Sequence, residues 1–285
     1  MLVWRYMDLK YGVQSAMTGR FKLSRIQDLN DAYEMRCACV GQLKPKVQRE
    51  FREQIIEQYK EAPPVDSLGR KKLQLDVVLN EAQNYTAEYF NSVLMERKTP
   101  EARQRILCFT DATVVDSNSD LLLWGHYGDK GAGVRVLLDI PSEKNNTYAI
   151  RRVRYTELRP ILDISLFNSW MDLNVMTPFF VESIFTKGLG WSYEHEVRLL
   201  AKNSASSLIH ENGMDFICFD TSCVRRIDFG PLTIREETDK ILDEIKKNEK
   251  LSHIQCRIAC FGYAKYQYDY VDYDEMLSSE LQTLN

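Results

Sequence analysis

Two glutamates separated by one residue carry the strongest chemical signal in the chain. They lie within residues 191–200, WSYEHEVRLL, where charged and apolar side chains alternate. Alternate side chains of a strand point to the same face, so the pattern predicts a strand with Glu194, Glu196 and Arg198 on one side. Two carboxylates held close together repel each other when both are ionised, and burial adds to the unfavourable energy. Such arrangements are frequent at catalytic sites, which need an acid in a fixed position. The alternative interpretation is a solvated strand face on which Arg198 neutralises its neighbours.

Two earlier segments place a polar side chain among aromatic or apolar neighbours: WRY at 4–6 and CFTD at 108–111. The planar guanidinium of Arg5 offers several N–H donors, which suit the oxygens of an anionic ligand. The Thr110 hydroxyl is expected to support Glu196 through a hydrogen bond. A surface ion pair is the competing explanation for Arg5. A shared site for these residues requires that Arg5, Thr110 and Glu196 converge in space.

The chain order of these residues, Arg5, then Thr110, then Glu194-x-Glu196, resembles the arginine, serine or threonine, and glutamate triad of ADP-ribosyltransferases. As in that family, the segment with the hydroxyl leads through a short helix to a strand that ends at a proline, here Pro141. The resemblance implies an ADP-ribosyltransferase-like fold with NAD as the substrate. It also implies that Glu196 stabilises an oxocarbenium-like ribose while Glu194 orients the acceptor.

Along nearly its whole length the chain also resembles a large bacterial family of domains of unknown function. The matching motifs are WRY at 4–6, GRFKLS at 19–24, NDxxE at 30–34, CFT at 108–110, LWGHYG at 123–128, WxYExExR at 191–198 and IDFG at 227–230. Abortive-infection proteins of the AbiG type are similar. This resemblance implies an intracellular toxin or an anti-phage defence effector in a bacterium, and it supplies no reaction.

The residue types and the resemblances together add candidates for contact with NAD. Aromatic rings stack on nicotinamide or adenine, and a histidine can act as a general base near neutral pH. The candidates are Arg5, Tyr6, Ser24, Asn30, Trp124, His126 and Tyr127. Structural explanations compete with these roles. Trp124 and Tyr127 have the helical spacing of core residues, and an Asx turn accounts for Asn30.

The sequence leaves the acceptor open among a protein side chain, a nucleic-acid base and water, and a neutralising or regulatory partner is an added possibility. The leading hypothesis uses no metal. A second hypothesis is a metal-dependent nuclease or phosphodiesterase in which Asp31, Glu34, Glu194 and Glu196 hold Mg²⁺. A third is a non-catalytic sensor or binding module. The glycines at 128–133 lack the order of a Walker loop or a dinucleotide fingerprint, which argues against kinase and dehydrogenase chemistry.

Composition indicates an ordinary soluble protein. The 285 residues are 44% hydrophobic and 27% charged, and the formal net charge is −4, so there is no global basic surface for nucleic acid. The seven cysteines are scattered and lack CxxC spacing, which favours a reducing cytosol and argues against a structural metal site. No run approaches the ~18–20 apolar residues that span a bilayer. We therefore expect a cytoplasmic protein without membrane contact.

Periodicity and turn residues predict an α+β fold with helices early and strands late. The expected architecture is a single ADP-ribosyltransferase-like domain over 1–285, with a mixed β-sheet core, peripheral helices and a helical insertion at 42–104. Strands are predicted at 2–7, 21–24, 106–110, 133–140, 151–155, 216–219, 224–229 and 254–260. Helices are predicted at 9–18, 47–60, 77–96, 121–127, 166–185 with a break at Pro178, and 234–247.

Overall fold

The computed structural model describes residues 1–31, 33, 38–61, 105–141, 147–169, 172–201 and 208–276. Its elements confirm the predicted α+β class. The chain divides into two units, the first comprising Met1–Arg25, Gln104–Val153 and Gly190–Asn285. The second comprises Ile26–Arg103 and Arg154–Leu189. The predicted helix at 77–96 and the candidate ligand Glu34 lie outside the described residues.

Strands and helices are numbered here in chain order. The strands are β1 (Leu2–Met7), β2 (Arg20–Lys22), β3 (Ser24–Arg25), β4 (Ala38–Val40), β5 (Arg105–Asp111), β6 (Val134–Asp139), β7 (Tyr148–Arg152), β8 (Arg154–Thr156), β9 (Ile161–Asp163), β10 (Thr186–Gly188), β11 (Glu196–Ala201), β12 (Leu208–Glu211), β13 (Met214–Cys218), β14 (Val224–Phe229), β15 (Gln255–Phe261) and β16 (Tyr268–Asp272). The helices are α1 (Leu9–Thr18), α2 (Pro45–Glu61), α3 (Ser117–Tyr127), α4 (Leu173–Ile184) and α5 (Arg235–Lys247).

A nine-stranded sheet is the centre of the first unit. Its strands follow the order β16-β15-β14-β6-β1-β5-β11-β7, and β3 pairs with β5 beside that path. The neighbouring strands are antiparallel except for β14 and β15, which are parallel. A smaller sheet in the same unit has the order β12-β13-β2. The core of the unit is therefore a mixed, mostly antiparallel sheet.

Helix α1 shows how local sequence sets the limits of an element. The Asp8 carboxylate caps its first turn by accepting the N–H of Tyr11 at 3.0 Å. Gly19 ends the helix with a φ of 70°, a conformation that glycine adopts at little cost. A Cβ at this position would lie 2.1 Å from the carbonyl oxygen of Phe219. The structure confirms the predicted bounds of this helix.

The two faces of the nine-stranded sheet bury different kinds of side chain. One face contributes alternate residues of β1, β6 and β11 to the main hydrophobic cluster, which also contains residues of α1 and α5. The opposite face contributes Trp4 and Tyr6 to a smaller cluster with Leu123 and Trp124 of α3. Because a slip of one residue would exchange the two faces, burial on both sides fixes the register of β1.

Arg135 is the centre of a buried polar cluster on the α3 side of the sheet. Its guanidinium carbon lies 4.1 Å from the ring centroid of Trp4 and 3.9 Å from that of Tyr270. Its Nη1 donates to Asp120 at 2.6 Å and its Nε to Asp228 at 2.8 Å. Burial alone lowers the pKa of Arg135, but the surrounding tyrosines and aspartates raise it above its usual value. Two carboxylates and two rings therefore compensate one cation that is removed from water.

The second unit contains two small parallel sheets, β4 with β9 and β8 with β10, together with α2 and α4. The N-terminus of α4 is capped by the carboxylate of Asp172, which accepts the N–H of Asn174 at 3.1 Å. All but the last residue of the predicted insertion at 42–104 belongs to this unit. The unit is larger than that insertion, since it begins at Ile26 and includes Arg154–Leu189.

Several predicted elements have different limits in the structure: the helix expected at 121–127 begins at Ser117, and the strand expected at 21–24 is divided between β2 and β3. The strand expected at 151–155 is divided between β7, which pairs with β11, and β8, which pairs with β10. The helix expected at 166–185 begins at Leu173 and continues through Pro178 without a break. A proline removes one N–H donor from a helix, and the remaining hydrogen bonds of α4 are enough to continue it.

The Arg135 cluster gives a stability prediction. Replacing Arg135 with methionine leaves Asp120 buried without this counter-charge and leaves Asp228 with Arg226 alone, so we expect a loss of about 3–5 kcal/mol in the free energy of unfolding. Urea unfolding followed by tryptophan fluorescence measures this loss. The control is Arg225→Met, which breaks an exposed ion pair with Asp139 and should cost less than about 1 kcal/mol. Equal losses in the two variants would contradict the assignment.

Candidate functional site

The register of three adjacent strands brings the predicted triad together. Trp4 of β1 lies opposite Thr110 of β5, and Thr110 lies opposite Glu196 of β11. Arg5 is the next residue along β1. The sequence could not establish that Arg5, Thr110 and Glu196 converge, and the structure places them on neighbouring strands of one sheet. Thr110 is positioned by this register, and no hydrogen bond from it to Glu196 occurs among the described residues.

Arg5 enters the sheet where one edge of β5 is shared between two strands. β1 pairs with the end of β5 at Asp111 and Thr110, while β3 pairs with its beginning at Ile106 and Arg105. Between these pairings the Nη1 of Arg5 donates to the carbonyl oxygen of Cys108. The guanidinium therefore lies in the gap along the edge of β5 between its pairing with β1 and its pairing with β3.

Arg5 also carries a buried N–H donor that can bind a ligand oxygen. Its Nε is buried and has no hydrogen-bond partner among the described residues. Desolvation lowers the pKa of Arg5, and the nearby Cys108, Glu196 and Tyr127 oppose this shift. A buried donor without an acceptor costs free energy. An oxygen of a bound ligand would satisfy this donor next to Glu196.

Glu196 is fixed by a bidentate pair with Arg198 on the same strand. Arg198 Nε donates to Oε1 at 2.8 Å and Nη2 donates to Oε2 at 3.0 Å. The side chains of Arg198 and Glu196 are only 1% and 6% exposed. The pair is therefore not solvated, although Arg198 does neutralise Glu196 as the alternative interpretation expected. A guanidinium at hydrogen-bond distance favours the ionised form of the carboxylate and fixes its orientation.

Glu194 does not share the strand of Glu196, so the prediction of one continuous strand through 191–200 is wrong. A 3₁₀ turn covers Leu189–Glu194, and β11 begins only at Glu196. The intervening His195 has a φ of 46°, a left-handed conformation that costs a residue with a Cβ roughly 1–2 kcal/mol. The turn directs Glu194 to a different anchor, since Tyr127 Oη donates to its Oε1 at 2.5 Å.

Three contacts hold His195 in this conformation. Its carbonyl oxygen accepts the N–H of Asp111 at 2.9 Å, and its own N–H donates to the carbonyl of Ser192 at 3.1 Å. Its ring Nε2 lies 3.3 Å from the Oγ of Ser119 at the start of α3. A strained backbone conformation persists only where surrounding contacts hold it in place, and such conformations are frequent at functional sites. The sequence analysis gave no role to His195, because a histidine carries no turn signal comparable to that of glycine.

Next to the two acids, three rings form a row that we call the aromatic row: His126, Tyr193 and Trp191. The ring centroids of His126 and Tyr193 are 6.0 Å apart, and those of Tyr193 and Trp191 are 6.2 Å apart. His126 is exposed, and the other two are half-buried. His126 was predicted as a site residue, whereas the rings of Tyr193 and Trp191 were considered only as part of the strand pattern.

Two other predicted NAD contacts belong to the buried cluster around Arg135. Trp124 is fully buried, and its Nε1 donates to Tyr270 Oη at 2.8 Å. The Tyr6 hydroxyl donates to Asp120 at 2.6 Å. Burial raises the pKa of Tyr6 far above its usual value. These positions give Tyr6 and Trp124 structural roles under α3, in agreement with the structural explanation of the helical spacing.

The last two predicted NAD contacts are placed differently. Ser24 lies opposite Ile106 on β5, four residues along that strand from Thr110. Asn30 belongs to the second unit and is exposed. The expected Asx turn occurs at the neighbouring Asp31, whose carboxylate accepts the N–H of Tyr33 at 2.8 Å. Asn30 therefore belongs to a different unit from Glu196.

The carboxylates of the metal hypothesis are not assembled in the part of the chain that the structure describes. There, no group of three histidine, cysteine or acidic side chains is suited to hold a metal ion. Glu34 lies outside the described residues, and Asp31 belongs to the second unit. Arg198 engages both oxygens of Glu196.

Comparisons with family models, with curated proteins and with solved structures find no match to this chain. The two resemblances therefore rest on the sequence motifs alone. None of the described helices has the length and apolar character needed to cross a membrane.

The Glu196–Arg198 pair predicts strong coupling between two substitutions. Arg198→Met leaves Glu196 as a buried, uncompensated charge and should cost about 3–5 kcal/mol of unfolding free energy. In the double variant Glu196→Gln with Arg198→Met the buried charge is absent, so we expect at least half of that loss to be recovered. Urea unfolding of the single and double variants measures the coupling.

The matched control for this cycle is the exposed pair of Arg20 and Glu211. The corresponding variants, Arg20→Met and Glu211→Gln, should each change the unfolding free energy by less than about 1 kcal/mol and show little coupling. Additive losses at Glu196 and Arg198 would show that the two side chains do not depend on each other.

Proposed function

We propose that this protein is an NAD-consuming ADP-ribosyltransferase, or an NAD glycohydrolase when water is the acceptor, and that it acts as an intracellular toxin or anti-phage defence effector. The observation that carries the proposal is that Thr110 and Glu196 are direct partners on β5 and β11, while Arg5 follows Trp4, the β1 partner of Thr110, and interacts electrostatically with Glu196. The resemblance to the transferase triad implies that these residues act together. Their position on adjacent strands supports that implication.

Transfer of ADP-ribose from NAD requires two things of the protein: an anion beside the ribose C1 and a group that holds the substrate in place. The bond between nicotinamide and C1 of the ribose breaks, and nicotinamide leaves with the bonding electron pair. The acceptor then forms a bond to C1 and releases a proton. Between these events the ribose has oxocarbenium character, so a fixed anion beside C1 stabilises the transition state. A group that holds the ribose or the phosphates reduces the entropic cost of alignment.

Glu196 is the residue proposed to supply the anion. Burial next to Arg198 fixes its carboxylate in one orientation, and preorganised charge of this kind needs no rearrangement during the reaction. Arg198 is a positioning residue, since it acts through Glu196. Arg5 is proposed to bind an oxygen of the ribose or the pyrophosphate through its unpartnered Nε. Thr110 lines the same position between the two strands.

Glu194 is proposed to serve the acceptor. The turn at His195 separates it from the strand of Glu196, and the Tyr127 hydroxyl holds it on the side of α3. A carboxylate in this position can accept the proton that the acceptor loses when its bond to C1 forms. The two acids therefore have separate anchors and separate roles.

The order of elements agrees with the proposed fold of the first unit. Thr110 lies near the end of β5, which is followed by α3 and then by β6, and Pro141 comes two residues after β6. This is the arrangement of strand, helix and proline-terminated strand that the resemblance implies. We therefore propose an ADP-ribosyltransferase-like fold for this unit.

The test follows nicotinamide release from NAD in bacterial lysate. Relative to the native protein, Glu196→Gln should reduce the rate by about 10²–10³-fold, because it removes charge that acts in the transition state. Glu211→Gln is the matched control, since Glu211 is exposed and pairs with Arg20, and it should leave the rate unchanged.

A chelator arm separates the transferase from the metal hypothesis. Release should continue in the presence of EDTA, whereas a metal-dependent nuclease or phosphodiesterase would lose its activity. Absence of nicotinamide release from the native protein, with lysate and without it, would overturn the proposed function. It would favour a non-catalytic binding module.

A further inference from the structure

We propose that the aromatic row of His126, Tyr193 and Trp191 is a stacking platform for unpaired bases, and that single-stranded nucleic acid is the ADP-ribose acceptor. This inference rests on the proposed function and adds the class of acceptor, which the sequence left open. It is argued from the geometry of the rings, from their connection to Glu194 and from the charges beside them.

The three rings are close neighbours with similar inclinations. Adjacent rings in the row are inclined by 38° and 33°. They are nearer to parallel than to perpendicular, in contrast to the perpendicular rings of Tyr6 and Trp124 in the core at 89°. All three retain exposure to solvent. Successive bases of a single strand stack on rings of this kind, whereas the faces of bases in a duplex are covered by their neighbours.

The row is joined to the proposed acceptor-activating acid from two directions. Tyr193 directly precedes Glu194 in the 3₁₀ turn, and Tyr127, which follows His126 in α3, donates to Glu194 Oε1. The row is therefore linked through the backbone and through Tyr127 to a buried carboxylate, which we propose accepts a proton from the amino or ring N–H group of the bound base. This geometry connects binding by the row to the bond-forming step.

Charge on the neighbouring strand suits a phosphate backbone. Arg151 and Arg152 of β7 are exposed, next to β11. Arg152 forms a 2.5 Å pair with Asp111 and keeps 63% of its side chain exposed. The N–H of Asp111 in turn donates to the carbonyl of His195. Consecutive strand residues point to opposite faces, so Arg151 is the residue on the face of Arg198; one exposed arginine there, in a chain with a net charge of −4, suits a short backbone segment rather than an extended duplex.

The binding test uses the Glu196→Gln protein without NAD, so that no chemistry occurs. Fluorescence anisotropy compares a labelled single-stranded oligonucleotide of about 16 nucleotides, as DNA and as RNA, with its duplex. We expect the single strand to bind at least about tenfold more tightly than the duplex. Adding Trp191→Ala should weaken single-strand binding by at least about fivefold, and Trp191→Phe should retain most of the affinity.

Two further variants make the test specific. Tyr263→Ala removes a ring that is fully exposed in the loop between β15 and β16, and it should leave binding unchanged. Arg151→Ser should reduce the slope of log affinity against log salt by about one. Duplex and single strand binding equally, or Trp191→Ala behaving like Tyr263→Ala, would overturn the proposed platform.

The failure of this inference can be distinguished from the failure of the proposed function. The native protein is incubated with labelled NAD, the oligonucleotide and lysate protein. Label on the oligonucleotide that depends on Trp191 supports the inference. Nicotinamide release with label only on protein overturns it and leaves the transferase intact. Binding that depends on Trp191 without any release supports the platform and contradicts the proposed function.

Discussion

Buried charge that must be compensated within one face of a sheet is the constraint on which this structure depends. Both central arginines of that face, Arg135 and Arg198, are almost fully removed from water and are paired with carboxylates. Such pairs contribute little net stability, but breaking one leaves an uncompensated charge. The Arg135 pairs join β6 to α3 and to β14, so a slip of either strand would separate those partners. The same requirement that fixes the sheet fixes the carboxylate of Glu196.

The turn before β11 converts a pattern of paired acids into two separately held carboxylates. On a continuous strand, Glu194 and Glu196 would have projected side by side and repelled each other. The left-handed His195 separates them, so that one is held by Arg198 and the other by Tyr127. Separation also allows one acid to act on the ribose while the other serves the acceptor.

Local signals made much of the fold predictable. The αL glycine at the end of α1, the apolar strands β1, β6 and β14, and the amphipathic α5 were all predicted nearly as they occur. Alternation alone failed at residues 191–194, because a 3₁₀ turn can carry the same alternation and His195 gives no turn signal. The meeting of Arg5, Thr110 and Glu196 depends on strand order, which arises from long-range pairing. The aromatic row likewise needs the contact between α3 and the turn.

The central claim is that Glu196 acts on the transition state while other groups bind NAD. The most direct measurement is the affinity of the Glu196→Gln protein for NAD by isothermal titration calorimetry, beside its rate of nicotinamide release. For a variant that urea unfolding shows to be folded, the account predicts a dissociation constant within about threefold of the native value together with a large loss of release, since groups other than Glu196 bind NAD. Loss of affinity in proportion to the loss of release would contradict it, as would unchanged release.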